Sequence, residues 1–180
     1  MQFAKDSFYT TLRDRLALVN PGRTVVVNGA SRPAVIVPEN EAAAAAEPLM
    51  EAFYLYWGAA RMVKRNTGRP QPLMVMECSV SYRSGGSSES GHDRGRIMGT
   101  LDHELMRISR PGWAPKQDYS QTPVVDLGTR IFWNDPDFHE LEVLGDTVPT
   151  TWRKQRPAQG ARLLRVANFT VFFFAEVQPA

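Results

Sequence analysis

The alternation of apolar and polar positions near the carboxyl end is the strongest structural signal in the chain. From Arg162 to Val177 the odd positions are apolar apart from Arg165, which is the spacing of one face of a β-strand. The even positions are mixed, and they put Phe172 and Phe174 on the second face. Two exposed phenylalanines would promote aggregation of a lone subunit. The pattern therefore predicts a face that another molecule covers.

Two segments repeat their apolar residues at helical spacing. The first runs from Ser7 to Val19, with Asp6 or Ser7 as its cap and Asn20-Pro21-Gly22 as its end. The second begins at Asp93 and has isoleucine or leucine at positions 97, 101, 105 and 108, with Arg94 outside this stripe. Each segment is predicted to be an amphipathic helix.

Five further segments have the composition of strands. Residues 24–27 and 34–37 are β-branched runs separated by turn residues, which predicts a hairpin between them. Residues 72–82 alternate clearly, and 124–132 form another predicted strand. Residues 51–63 combine aromatic residues that favour a strand with alanines that favour a helix, and we interpret them as a strand.

These elements predict the fold class and the domain organisation. We expect one α+β domain over residues 1–180, in which a mixed, largely antiparallel β-sheet of four to six strands packs against two amphipathic helices. The Gly/Ser-rich segment near 83–93 is predicted to be a flexible loop. The segment near 111–159 is rich in turn residues and is predicted to be a long irregular insertion, with the strand at 124–132 inside it.

Composition excludes several classes of protein. The chain has 180 residues, 43% of them hydrophobic and 22% charged, as expected of a globular domain. A net charge of +2 does not by itself indicate nucleic-acid binding. A single cysteine, Cys78, excludes an internal disulfide, and its strand context predicts a small core residue. We expect no transmembrane segment and no signal peptide, because every apolar run is much shorter than roughly 20 residues and the N-terminal segment is polar.

The residues that could carry chemistry do not form a recognisable constellation. His92, His103 and His139 have no ligand one helical turn away, and they are predicted to be solvated together with the adjacent Glu104 and Glu140. The Gly/Ser segment lacks the ending of a P-loop and the pattern of a nucleophile elbow. The sequence therefore predicts no catalytic residue, no metal and no cofactor.

Basic residues leave two alternatives open. Arg94 and Arg96 follow the Gly/Ser segment at the start of the second helix; a flexible interface loop is the favoured interpretation, and incidental anion binding is the alternative. Clusters at 61–69 and 153–156 are interpreted as solvated charge or salt-bridge partners, with a complementary protein surface as the first alternative and nucleic acid as the second.

The order of the elements carries a resemblance to a known family. A short helix is followed by strands ending in RPAVIVPEN, a central strand PLMVMECSVSY, a helix DRGRIMGTLDHELMRI and a closing strand ARLLRVANFTVFFFAEV. In this order the chain resembles the tail-terminator (tail-completion) proteins of long-tailed bacteriophages, which are small α+β subunits that form a hexameric ring. The resemblance covers most of the chain, and the segments 42–62 and 111–159 depart from the shortest members.

The resemblance implies a structural role in a virion and no enzymatic activity. Such a ring caps the tail tube at its head-proximal end and joins it to head-completion proteins, with DNA passing through a lumen without specific binding. The implied partners are copies of the chain, the tail-tube protein and the head-completion proteins, with no membrane. The implied location is the neck or tail of a virion assembled in the host cytoplasm. The alternatives are a head-tail connector or tail-tube protein and, less favoured, a small hydrolase or a ligand-binding module.

A ring of this kind requires a head-to-tail contact between neighbouring subunits. Flexible or exposed elements without a role inside the subunit are the natural candidates, and sheet continuation between subunits would suit the long strands. The residues predicted to form the subunit or partner interface are Ser84, Gly85, Gly86, Ser87, Ser88, Arg94, Arg96, Phe172 and Phe174.

Overall fold

A computed structural model describes residues 1–41, 48–64, 72–85, 91–144, 147–148, 156–157 and 162–175. Within these ranges there are two α-helices, α1 (Gln2–Val19) and α2 (Gly91–Ile108). The strands are β1 (Thr24–Val27), β2 (Ala30–Pro33), β3 (Val35–Ile36), β4 (Phe53–Lys64), β5 (Leu73–Ser84), β6 (Trp113–Asp118), β7 (Val125–Trp133), β8 (Asp137–Phe138), β9 (Glu142–Leu144), β10 (Thr147–Val148), β11 (Arg156–Pro157) and β12 (Arg162–Phe174).

The principal sheet has eight strands with β5 and β12 at its centre. Six strands follow the order β3-β4-β5-β12-β7-β6, and β8 and β9 also pair with β12. All of these pairs are antiparallel except β3 with β4. The predicted α+β fold with a mixed, largely antiparallel sheet and two helices is therefore confirmed. The predicted strand at 51–63 is also present, as β4.

The segment from 111 to 144 is more regular than the insertion that its turn residues predict. It contains β6, β7, β8 and β9, which raise the strand number of the sheet above the expected four to six. Pro115 lies within β6, where proline usually argues against a strand. Trp133 N donates to Gly112 O at 2.9 Å, and backbone groups alternate in direction along a strand, so the nitrogen of Pro115 faces away from β7. The proline consequently removes no bond from the ladder.

Helix α1 begins five residues earlier than its capping signals predict. Ala4 and Phe8 are fully buried, so the stripe that faces the sheet extends to the first turn. Ser7 is not the cap: its Oγ donates to Phe3 O at 2.6 Å and accepts from Gln117 N at 2.9 Å. A residue that resembles an N-cap in sequence therefore lies inside the helix and binds it to β6.

The predicted hairpin between residues 24–27 and 34–37 is wrong in its second strand. β1 pairs with β2 instead, through a two-residue turn in which Asn28 and Gly29 have φ of 51° and 79°. An Asn-Gly pair with both φ values positive is the favoured two-residue hairpin turn. Val35 and Ile36 are thereby released to pair in parallel with β4, where both are buried.

Phe8 is the central side chain of the core. It has no exposed surface, and its ring contacts Trp57, Trp133 and Phe169 at centroid distances of 5.6, 5.0 and 5.6 Å. All three contacts are edge-to-face, the favoured geometry for aromatic pairs. Since the three partners lie on β4, β7 and β12, one residue of α1 connects distant strands of the sheet.

A buried ion pair connects α2 to the segment between α1 and β1. Glu104 is 4% exposed and pairs with Arg23, which also bonds Glu51 Oε2 at 2.7 Å. Asn20 Nδ2 donates to Glu104 Oε1 at 2.7 Å. The prediction that Glu104 is solvated together with His103 is therefore wrong for Glu104, while His103 is exposed. The chain needs this carboxylate to neutralise the guanidinium between α1 and β1.

Arg165 interrupts the apolar row of β12 because it forms an ion pair with Asp102 of α2. Its Nη2 donates to Asp102 Oδ2 at 3.0 Å, and its Nη1 donates to the carbonyl of His139 at 2.7 Å. Asp102 Oδ1 also accepts from the hydroxyl of the fully buried Tyr82 at 2.6 Å. Burial, with a smaller effect of the Asp102 carboxylate, raises the pKa of Tyr82. The pair Arg165–Asp102 thus fixes α2 on β5 and β12.

We predict that Glu104→Ala destabilises the fold by about 3–5 kcal/mol, because it leaves the Arg23 guanidinium buried with one partner lost. Equilibrium urea unfolding measures this change. Asp135→Ala is the matched control, since it removes the exposed pair with Arg110, whose side chains are 72% and 68% exposed. The control is expected to change stability by less than about 0.5 kcal/mol. Equal effects of the two substitutions would contradict the role of the buried pair.

We also predict that Cys78 does not react with a disulfide reagent at mildly alkaline pH until the protein unfolds. The residue is fully buried, and burial raises the pKa of its thiol, so the reactive thiolate is disfavoured. The measurement is thiol release from the reagent with and without denaturant, with glutathione as the reference. Rapid labelling of the native protein would show that the β5 core face opens.

Candidate subunit interface

Both helices pack on the same face of the central strands, and the opposite face is here named the outer face. On the helix side, α1 contributes Phe8 against Phe169 and α2 contributes Asp102 against Tyr82. Phe169 and Tyr82 belong to the set of β12 and β5 positions that point one way, because side chains alternate along a strand. The intervening positions of these strands, Phe172 among them, form the outer face.

One row of side chains crosses five strands on the outer face. Trp113 lies opposite Phe132, Phe132 opposite Phe172, Phe172 opposite Val75, and Val75 opposite Arg61. Directly opposed residues on neighbouring strands share a face. The first three, Trp113, Phe132 and Phe172, are here named the aromatic row.

The aromatic row is accessible although its neighbours are packed. Trp113 is 38% exposed and Phe132 is 46% exposed, while Phe172 is half-buried and Val75 is buried. The guanidinium of Arg130 lies 4.5 Å from the ring centroid of Trp113, which restricts the indole. Restricted aromatic side chains lose little conformational entropy on binding, and such residues are enriched at protein interfaces.

A polar stripe borders the aromatic row along the central strands. Thr170 Oγ1 donates to Glu77 Oε2 at 3.1 Å, and Ser79 Oγ donates to Asn168 Oδ1 at 2.7 Å. Asn168 Nδ2 is 2.7 Å from His139 Nε2. These cross-strand bonds satisfy the polar side chains within the subunit. The polar stripe therefore separates the aromatic row from Leu164 and Val166, which lie on the outer face toward the other end of β12.

The β6 edge of the sheet is closed by α1. Arg15 Nη2 donates to Trp113 O at 3.0 Å, and Ser7 Oγ accepts from Gln117 N. Pro115 has no N–H, and Trp113 N donates to Pro111 O at 2.8 Å. The backbone donors that would bind an added strand are thus absent or already used.

The opposite edge, on β4, is open over residues 57–63, here named the β4 edge. On the side away from β5, the strand pairs described for this sheet join β3 to Phe53 and Tyr54 only. Met62 and Val63 are each 52% exposed on the β4 edge. A register shift between Trp57 and Ala60 interrupts the strand, as a bulge does. The subunit therefore has a second accessible apolar surface, at the other side of the sheet from Trp113.

The residues predicted for the interface differ in their exposure in the structure. Ser84 and Arg94 are buried, because β5 continues to pair through Ser84 with Leu163 and α2 already begins at Gly91. The single chain therefore exposes neither Ser84 nor Arg94, whereas the sequence had suggested that both belong to an exposed interface. Arg96 is exposed and pairs with Asp93 at 2.9 Å, while Gly85, Phe172 and Phe174 are half-buried. Gly86, Ser87 and Ser88 lie outside the described residues.

Sequence reasoning missed Phe132 and Trp113 as members of the same surface as Phe172. A partial signal for Phe132 was present, since it ends the strand predicted at 124–132; β7 continues to Trp133, and consecutive strand residues point to opposite faces. Trp133 is the buried member of this pair, and its Nε1 donates to Ser109 O at 2.7 Å. Trp113 had no comparable signal, because the strand β6 was not predicted.

The residue types that could ligate a metal are dispersed over the described part of the chain. No group of three or more histidine, cysteine, aspartate or glutamate residues is placed to hold a metal ion within these ranges. His92, His103 and His139 are exposed, as predicted, and so is Glu140. Asp102 and Glu104 are engaged in the ion pairs that fix α2.

Neither described helix is both long and apolar enough to cross a membrane.

Comparison of the chain with protein-family models and with curated proteins gives no match.

Proposed function

We propose that the protein is a structural subunit of a phage tail-terminator ring, which caps the tail tube and joins it to head-completion proteins. The observation that supports an assembling subunit best is the aromatic row, which exposes Trp113 and Phe132 on a face that neither helix covers. An exposed and contiguous group of aromatic side chains marks an interaction surface. The tail-terminator assignment itself rests on the resemblance in element order, and the association of copies is the part that geometry supports.

A closed ring needs two different surfaces that fit each other on neighbouring subunits. The aromatic row is centred on β7 and β12, and the β4 edge lies across β5 from it. Both surfaces are apolar, and they involve different residues. In this proposal the aromatic row of one subunit contacts the β4 edge of the next, which makes the contact head-to-tail.

Sheet continuation through both edges is disfavoured as the ring contact. Arg15 and Ser7 of α1 bind the backbone of β6, so β6 cannot accept a strand without losing these bonds. Among the described residues no strand pairs with residues 57–63 on the side away from β5, and the exposed Met62 and Val63 fit an apolar partner surface. The contact proposed here therefore joins an edge to a face.

The other parts of the proposed function follow from the resemblance. The ring is located in the neck of the virion, and its two sides contact the tail-tube protein and the head-completion proteins. DNA passes through the lumen without specific binding, as fits a net charge of only +2. A head-tail connector or tail-tube subunit is the second candidate, because the same two surfaces would serve it. Negative-stain microscopy distinguishes closed rings from extended tubes.

We predict that Phe132→Asp and Met62→Asp each abolish self-association. Each substitution puts a carboxylate into one of the two apolar surfaces, which should cost about 2 kcal/mol or more at the centre of an interface. Size-exclusion chromatography with light scattering measures the mass. Leu18→Asp is the matched control, because Leu18 is 83% exposed on α1 and belongs to neither the aromatic row nor the β4 edge. The control variant is expected to assemble as the unmodified protein does.

Mixing the two variants tests whether the contact is head-to-tail. Phe132→Asp keeps an intact β4 edge and Met62→Asp keeps an intact aromatic row, so an equimolar mixture should form a heterodimer and nothing larger. An isologous contact through the aromatic row would instead produce dimers of Met62→Asp alone and leave Phe132→Asp monomeric. A protein that is monomeric at every concentration, with or without tail-tube protein, contradicts the proposal as a whole.

A further inference from the structure

Arg130 is an exposed cation on the outer face, beside the aromatic row. Its guanidinium lies 4.5 Å from the ring centroid of Trp113. None of the ion pairs among the described residues includes Arg130. A contact with an aromatic ring leaves the charge of a guanidinium without a counter-ion, so Arg130 can still bind a carboxylate.

The indole next to Arg130 is attached to a fixed part of the backbone. Trp113 O accepts from Arg15 at 3.0 Å, and Trp113 N donates to Pro111 O at 2.8 Å. A Cβ added to Gly112 would lie 2.6 Å from the carbonyl oxygen of Trp133, so the chain passes too close there for any other residue. Arg130 and Trp113 therefore form a charged and aromatic unit whose position is set by the fold.

Glu77 is an exposed anion on the same face, on β5. Its Oε2 accepts from Thr170 Oγ1 at 3.1 Å, and this neutral hydroxyl does not compensate the negative charge. No ion pair of the described ranges includes Glu77. Arg61 lies opposite Val75, at the neighbouring position of this face, and is likewise absent from these pairs. The outer face thus carries an unpaired cation at the aromatic row and an unpaired anion near β4.

The carboxylate of Glu77 adjoins the β4 edge. The register shift of β4 places positions 58 and 59 together against this one residue of β5. Gly58 has no side chain, and a Cβ built there would lie 3.3 Å from the Cβ of Glu77. Ala59 is exposed and carries only a methyl group. A molecule that approaches the β4 edge can therefore reach Glu77 without displacing a bulky side chain of these two positions.

We propose that Arg130 of one subunit forms an ion pair with Glu77 of the next subunit, where the aromatic row contacts the β4 edge. This inference rests on the proposed head-to-tail contact and names the charged pair that orients it. Apolar surfaces alone permit several relative positions, whereas opposite charges across a contact fix the register and exclude other arrangements. The partner of both groups is a second copy of this chain, because the chain itself supplies the complementary charge.

Charge reversal tests this pairing. Arg130→Glu and Glu77→Arg each place like charges at the contact, so each should weaken self-association at least about tenfold. The variant with both substitutions restores opposite charges and is expected to recover most of the lost affinity. Light scattering over a concentration series gives the dissociation constants. Arg107→Glu is the matched control, since Arg107 is exposed on α2 and belongs to neither surface, and it should associate as the unmodified protein does.

Neutral variants and salt give a second readout that a folding defect does not imitate. Arg130→Met keeps an apolar side chain next to Trp113, and Glu77→Gln keeps an acceptor for Thr170. Each should retain the Tm and weaken association severalfold. Added salt should weaken association of the unmodified protein, because it screens the ion pair, and should affect the two neutral variants much less.

The outcomes separate this inference from the proposed function. If the single reversals weaken association and the double variant does not recover, the pairing of Arg130 with Glu77 is wrong and the ring contact is retained. The same conclusion follows if both reversals associate normally while Phe132→Asp does not. An unmodified protein that stays monomeric overturns the ion pair together with the proposed assembly.

Discussion

The insertion of Phe8 among three aromatic rings is the contact on which the architecture depends. Trp57, Trp133 and Phe169 come from β4, β7 and β12, so one phenylalanine connects strands that are distant both in sequence and in the sheet. Replacing such a side chain by alanine typically costs about 3–5 kcal/mol. Because α1 is held on the face that carries these rings, and α2 packs on the same face, the helices leave the other face of the sheet accessible.

The same helix determines which border of the sheet is accessible. Arg15 and Ser7 bind the outward backbone of β6, and Arg15 also donates to the carbonyl of Ile108, the last residue of α2, and to that of Pro111. Burial lowers the pKa of Arg15, and the carbonyl acceptors compensate part of the lost hydration. A helix that began at Ser7, as the capping signals suggested, would lack the carbonyl of Phe3, which accepts from Ser7 Oγ. The asymmetry between β6 and the β4 edge thus originates in Ser7 and Arg15 of α1.

The periodic segments were predictable from sequence, while the pairings between short strands were not. β5, β12 and α2 have long apolar patterns, and their existence and type followed directly from spacing. β3 has only two residues. The Asn28-Gly29 turn makes β1 pair with β2, and β3 can therefore pair in parallel with β4. Glu104 was misjudged because its partner Arg23 is far away in sequence, and no local pattern reports such a pair. For the site, Phe172 was visible from alternation alone, whereas Trp113 became part of it only through the register of three strands.

The register shift between Trp57 and Ala60 has a consequence for what the open border of the sheet tolerates. An added chain finds an uninterrupted ladder on one side of the kink only, so it gains few main-chain bonds and depends on side-chain fit. Indiscriminate edge-to-edge pairing with other chains, the usual hazard of an unprotected edge strand, is therefore less favourable. The interrupted ladder therefore favours a partner whose side chains fit the β4 edge over a partner that offers main-chain bonds alone.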